Sequence, residues 1–123
     1  MRAGRHDCYD RLVLDLGGGP SAGFRVGYVD AVYNDPRGDV VPLRGGARLL
    51  VVVMAPSPGT PAAATELADI NGYPTFRQVA YAGRFEGQTS VGLGVRARLP
   101  FRAFVLTGPG DVSRLVVDVA HRW

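Results

Sequence analysis

Arg11-Leu12-Val13-Leu14-Asp15-Leu16 returns near the other end of the chain as Arg114-Leu115-Val116-Val117-Asp118-Val119. Both stretches alternate with a period of two. Leu12, Leu14 and Leu16 share one face of the first, and Leu115, Val117 and Val119 one face of the second. Arg11 and Asp15, like Arg114 and Asp118, point the opposite way. An apolar inner face and a charged outer face are the pattern of a half-buried strand. A chain that opens and closes on the same strand is expected to close a sheet on itself.

Working outward, the spacing predicts seven or eight short strands between turn clusters. Gly17-Gly18-Gly19-Pro20-Ser21 is a loop, followed by a strand from about Gly23 to Tyr33 whose alternation slips near Val29, as at a β-bulge or a strong bend. Asn34 to Asp39 reads as a turn and Val40 to Leu43 as a short extended piece. Leu49 to Met54 is a continuous apolar run, expected at the centre of a sheet. After Pro74 the chain reads as a meander, with arms around Val79–Phe85, Val91–Val95 and Phe101–Thr107 before the closing strand. Such a series specifies an all-β antiparallel sandwich or barrel.

Ala55 to Pro74 is the exception, a long Pro-rich connection that could hold a short helix over Ala62–Asp69, with Thr60 as N-cap and Pro61 at the first helical position. Connections of this length inside a compact domain are functional or mobile, and both readings stay open.

The 123 residues fit one domain, 1–123, large enough to bury roughly 65% of its unfolded surface without a disulfide or metal staple. Seventeen glycines and nine prolines argue for many turns and against long helices. All fourteen basic residues are arginine, and the net charge is +3. The arginines are scattered among carboxylates, so neither a basic stripe nor a nucleic-acid module is present. The single cysteine, Cys8, excludes an internal disulfide, and its neighbours make no lipid-attachment site. No stretch reads as a signal peptide or membrane span.

Catalysis requires a nucleophile with its base, two placed carboxylates, or a metal. The two histidines, His6 and His121, lie near the ends of the chain. With Cys8 they could form a three-ligand zinc site if the first and last strands were neighbours, but no spacing requires it. The triple glycine leads into a strand and cannot cradle a phosphate at a helix start. The expectation is a non-enzymatic domain without metal or cofactor.

Two surfaces remain as binding candidates. On the strand Val91–Val95, Gly92 and Gly94 fall on the outward face and would leave a flat strip. Arg84, Glu86 and Gln88 at the adjoining turn and Arg96 beyond would supply hydrogen bonds to sugars and carboxylates. The alternative is a glycine bulge that bends the strand. The second candidate is the polar track Arg11, Asp15, Arg114 and Asp118. In an antiparallel pairing, Arg11 would meet Asp118 and Asp15 would meet Arg114 as ordinary exposed cross-strand ion pairs.

Asp10-Arg11-Leu12-Val13-Leu14-Asp15-Leu16, the Gly83-Arg84-Phe85-Glu86-Gly87 turn, Gly92-Leu93-Gly94-Val95, and Pro100-Phe101-Arg102-Ala103-Phe104 leading into Arg114–Val119 carry a resemblance. Together they resemble the AMIN-like domain of actinobacterial cell-envelope lipoproteins, itself similar to the AMIN domain that accompanies cell-wall amidases and secretin channels. The resemblance runs from about Gly4 to Trp123. It departs at Gly108–Ser113, a longer loop where family members carry a compact Pro-Pro. It implies a β-sandwich of two similar sheets and an extracytoplasmic, cell-envelope location, with any membrane attachment made through an anchor outside these residues. It also implies a non-catalytic targeting role, commonly binding peptidoglycan or another wall polymer. A protein–protein adaptor using a sheet edge or the Ala55–Pro74 loop is the alternative function.

Overall fold

The computed structural model describes residues 1–18, 23–35, 37–54, 65–85, 87–107 and 112–123. Eight strands follow in chain order: β1 (Arg2–Arg5), β2 (Tyr9–Gly18), β3 (Phe24–Val29), β4 (Ala47–Val53), β5 (Phe76–Phe85), β6 (Gln88–Val95), β7 (Phe101–Thr107) and β8 (Val112–Ala120). They form two antiparallel four-stranded sheets, β1-β2-β8-β7 (sheet A) and β3-β4-β6-β5 (sheet B). The protein is therefore an all-β sandwich, and the meander expected after Pro74 is two hairpins in different sheets. The chain crosses from sheet A to sheet B after β2 and returns after β6.

The repeated strands are neighbours. β2 pairs antiparallel with β8 in a register that sets Arg11 opposite Asp118, Leu12 opposite Val117 and Asp15 opposite Arg114. Because side chains alternate, this one register turns Leu12, Leu14, Leu115, Val117 and Val119 together toward sheet B, and all five are buried. Leu49, Val51, Val79, Val91, Leu93 and Val95 face them from sheet B. β4 lies inside its sheet between β3 and β6, as its apolar run requires.

The strand expected from Gly23 to Tyr33 ends at Val29, and of the two readings of the slip the bend holds: the chain bends at Asp30, with no bulge in the β3–β4 register. Beyond it Tyr33 bridges to Val40 around the predicted turn, closed by Asn34 N donating to Asp39 O and Gly38 N to Asn34 O. The β5–β6 hairpin turns through Gly87 at φ 78°, and a bulge between Tyr81 and Arg84 contains Gly83 at φ 100°. Both angles are left-handed and favour glycine. That bulge shifts the face of the residues after Tyr81, so Phe85 is exposed although the unbroken alternation put it with buried Val79. Residues 55–64 of the long connection, including the N-cap and first residues of the helix expected over Ala62–Asp69, lie outside the described residues, and 65–69 forms turns and bends, not helix.

The two outer faces of the sandwich differ. On sheet B, Val32, Leu43 and Arg44 lie over β6. A Cβ on Gly92 would stand 2.7 Å from Leu43 Cδ1 and 3.3 Å from Val32 Cγ1, and one on Gly94 would overlap the Arg44 carbonyl oxygen. The strip expected to be open is thus filled by the chain itself. Gly92 and Gly94 are buried, with their missing side chains used for close packing of a crossing segment.

Candidate functional site

Alternation and register together assemble a cluster on the outer face of sheet A. Asp118 on β8 points outward and sits between Arg11 of β2, its partner on one side, and Arg102 of β7, its partner on the other. Arg11 donates from Nε to Asp118 Oδ1 at 2.7 Å and from Nη2 to Oδ2 at 2.9 Å, a bidentate fork. Arg102 Nε donates to Oδ2 at 2.8 Å. The carboxylate is only 3% exposed.

Burial pushes the Asp118 carboxyl up, but the hydrogen bonds from Arg11 and then Arg102, with their charges, outweigh it and hold the group below its ordinary value. The reciprocal hydrogen bond to Asp118 raises the Arg11 guanidinium, against the opposing effect of its own burial. The ion pair expected here on an exposed surface is therefore a shielded triad.

Two aromatic rings flank it. The Arg11 guanidinium carbon lies 5.4 Å from the Tyr9 ring centre and 5.8 Å from that of Phe104, and the Arg102 carbon 5.2 Å and 5.7 Å from the same rings. Both cations are in cation–π range of both rings. His6 stacks on Tyr9 at 4.8 Å between ring centres, with 19° between the planes. The result is a ladder of flat groups, His6, Tyr9, the guanidiniums and Phe104, standing on sheet A. Arg102 is 62% exposed and Arg11 26%, so the more open guanidinium reaches solvent while the other fixes the carboxylate. Such a platform offers flat surface to a sugar ring and forked donors to a carboxylate.

The remaining predicted residues are dispersed. Asp15 is held by Arg2 of β1 at 2.8 Å, with both side chains exposed, while Arg114 lies across the ladder from it. Arg84 and Gln88 stand at the β5–β6 hairpin, and Glu86 is outside the described residues. Arg96 follows β6 and donates from Nη2 to the His121 carbonyl. Gln88 and Arg96 are eight residues apart, roughly 27 Å along an extended strand. With Gly92 and Gly94 buried between them, these groups form no common surface.

His121, His6 and Cys8 do not converge on a metal. His121 Nε2 lies 2.9 Å from Asp10 Oδ1, His6 is stacked on Tyr9, and Cys8 is exposed. No group of three or more histidine, cysteine or acidic side chains is placed to hold a metal ion among the described residues. Asp10 is a structural residue. Fully buried, it accepts from Thr75 N at 2.8 Å and Phe76 N at 3.0 Å, fastening the start of β2 to the start of β5 across the sandwich.

Three members of the cluster, Tyr9, Arg102 and Phe104, were not singled out by sequence. A signal exists: Arg102 and Phe104 alternate as Val116 and Asp118 do, and they pair with Asp118 and Val116 respectively. On the other sheet, residues 65–74 lie beside β5 and help line an open cleft of about 720 Å³ that includes Arg44, Glu66, Tyr73 and Arg77. Arg44 and Glu66 pair there at 2.6 Å.

Comparison with curated proteins and with solved structures returns no significant match. A family model does match, over residues 1–121, and its span takes in every strand and the whole Tyr9–Arg11–Arg102–Phe104–Asp118 cluster. AMIN-like domains are, as a family, cell-wall-associated binding or targeting modules of extracytoplasmic proteins and generally non-catalytic. With two antiparallel four-stranded sheets in the order described and a family match over nearly its entire length, the chain belongs to the AMIN-like domain family.

Proposed function

We propose that this domain is a non-catalytic module of the cell envelope that binds peptidoglycan on the outer face of sheet A. The observation that carries the reading is the arginine–aromatic ladder anchored on the buried Asp118 carboxylate. Arg11 and Arg102 bring two positive charges against the one negative charge of Asp118, which leaves the cluster with an excess of one. Peptidoglycan presents sugar rings beside short acidic peptides, and a flat ladder with one exposed guanidinium suits both parts. Sheet B lends itself less to this role because Val32, Leu43 and Arg44 close over β6 on its outer face.

The test is co-sedimentation with purified sacculi. Arg102→Ala removes the exposed fork and is expected to weaken binding about ten- to a hundredfold, the equivalent of one charge-assisted hydrogen bond. Tyr9→Ala should weaken it by a similar factor through loss of flat surface. Binding should also fall as salt rises to physiological strength, since exposed charges are screened over roughly 8 Å. Arg25→Ala, on an exposed position of β3 in the other sheet, is the control expected to pellet as the parent does. Folded Arg102→Ala and Tyr9→Ala proteins that both pellet like the parent would remove sheet A as the binding face.

A further inference from the structure

The sandwich has four strand edges, β1 and β7 in sheet A and β3 and β5 in sheet B. A bare edge presents unpaired amides and carbonyls that can template another strand, so folded proteins blunt them. β1 is four residues long with arginine at both ends. β5 is capped by its own chain, with Asp35 N donating to Ala82 O and Leu67 N to Val79 O. β3 carries Arg25 and an interior glycine, Gly27, which weakens strand pairing.

β7 has none of these devices. It runs Phe-Arg-Ala-Phe-Val-Leu-Thr without proline, glycine or bulge, in unbroken register with β8. Phe101 is 37% exposed and Leu106 42%. Its one charge, Arg102, leans across the outer face toward Asp118 of β8, away from the free edge. Among the described residues, no backbone hydrogen bond reaches its outer edge.

We infer that β7 is a dimer seam, at which a second copy of this chain adds its own β7 antiparallel and joins the two A sheets into one of eight strands. The sequence of the strand favours this occupant over an arbitrary peptide because it is complementary to itself. Facing residues in an antiparallel ladder must share the same hydrogen-bonding state, so in a self-pairing only registers with residue numbers of like parity are allowed. The register centred on Phe104 is the one that pairs all seven residues. It sets Phe104 against Phe104 of the second copy, Ala103 against Val105, Arg102 against Leu106 and Phe101 against Thr107.

No like charges meet in that register. The two copies of Arg102 stand four residues apart along the seam, roughly 14 Å, beyond the screening length at physiological salt. Arg102 instead lies beside an exposed leucine, over which its apolar stem can pack. An aromatic pair falls on the twofold axis. The interface is isologous and closed, so pairing stops at two copies. The dimer would set two arginine–aromatic clusters side by side on one continuous face, although the seam stands or falls without reference to any ligand.

Analytical ultracentrifugation of the parent and of two variants at Leu106, under reductant so that exposed Cys8 cannot cross-link copies, tests both seam and register. Leu106 is 42% exposed and lies opposite Arg114 of the same chain, so a urea melt of each variant checks that the Leu106→Lys monomer stays folded at the concentrations used. The parent is expected to dimerise reversibly. Leu106→Lys places a cation opposite the second copy's Arg102, twice per dimer, and should raise the dissociation constant about tenfold or more. Leu106→Glu places an anion there and should keep the dimer, more tightly at low salt than at high. A parent that stays monomeric at several hundred micromolar overturns the seam. A parent dimer that both variants weaken alike overturns the register, and with it the self-complementary pairing.

Discussion

Replacing Asp118 by Asn should destabilise the fold by about 2 kcal/mol, far more than an ordinary surface ion pair contributes. The carboxylate accepts three charge-assisted hydrogen bonds, at 2.7, 2.9 and 2.8 Å, and is 3% exposed. Breaking a fully buried pair by removing one partner costs roughly 3–5 kcal/mol. The two arginines here are 26% and 62% exposed, so both can recover hydration, and the cost is discounted by about half. For a domain of this size that is a fall in melting temperature of roughly 6–12 °C. Urea denaturation followed by circular dichroism measures it directly.

The pH dependence carries a sign that a generic packing defect would not share. The folded-state pKa of Asp118 is depressed, so its contribution is fully present above the unfolded value of about 4 and is lost as pH falls through the folded value. The parent should therefore exceed Asp118→Asn in stability by the full amount near neutrality. The gap should narrow as pH drops below about 4, once the parent carboxyl also takes up a proton. A gap below about 0.5 kcal/mol at neutral pH, or one that widens on acidification, would refute the shielded triad.

Two further substitutions probe what holds the sandwich in shape. Gly94→Ala brings a methyl group into the Arg44 carbonyl and should cost more than about 2 kcal/mol in thermal or urea melts, whereas Gly27→Ala, with no atom within 4 Å of the added carbon, should cost under about 1. Equal effects of the two would mean that Arg44 does not press on β6. Asp10→Ala strips the acceptor from two buried amides, Thr75 N and Phe76 N, and is expected to cost about 2–4 kcal/mol in the same assay; a loss below 1 would show that water replaces the carboxylate there.

The parts of this fold that were legible in the sequence are those set by local alternation. Leu12, Leu14, Leu115 and Val117 carry a period of two long enough to fix both faces, and charges at the strand ends pin the register to Arg11–Asp118 and Asp15–Arg114. The candidate site depended on more. Arg102 and Phe104 join it only through the β7–β8 pairing, and a period of two says which face a residue takes, not which rung. The sequence Gly108-Pro109-Gly110-Asp111 between the two strands names no single turn type, so it leaves the rung undetermined. Asp10 sits in the same stretch as Arg11 but is buried because its amide donors arrive from Thr75 and Phe76, 65 and 66 residues away. Gly92 and Gly94 misled for a related reason. Outward glycines announce that something approaches closely, and only the tertiary path of the chain reveals that the visitor is Leu43 and Arg44.

That path also decides which sheet can act. Both sheets are four-stranded and antiparallel, and both turn alternate residues outward, so strand pattern alone makes them equivalent. Val32, Leu43 and Arg44 break the equivalence by covering β6 on sheet B, the first two closing on Gly92 and the third on Gly94. On sheet A the corresponding central strand, β8, places Asp118 outward, and a carboxylate there can be tolerated only if cations shield it. Arg11 and Arg102 supply that shield from the two neighbouring strands, and the rings of Tyr9 and Phe104 fix the guanidiniums in turn. The solution to a local electrostatic problem thereby leaves a rigid, flat and net-cationic patch on the sheet that no described segment of the chain is seen to cover. Preorganised groups lose little freedom on contact, and so such a patch is a better place to hold a polymer than an equally charged but mobile loop.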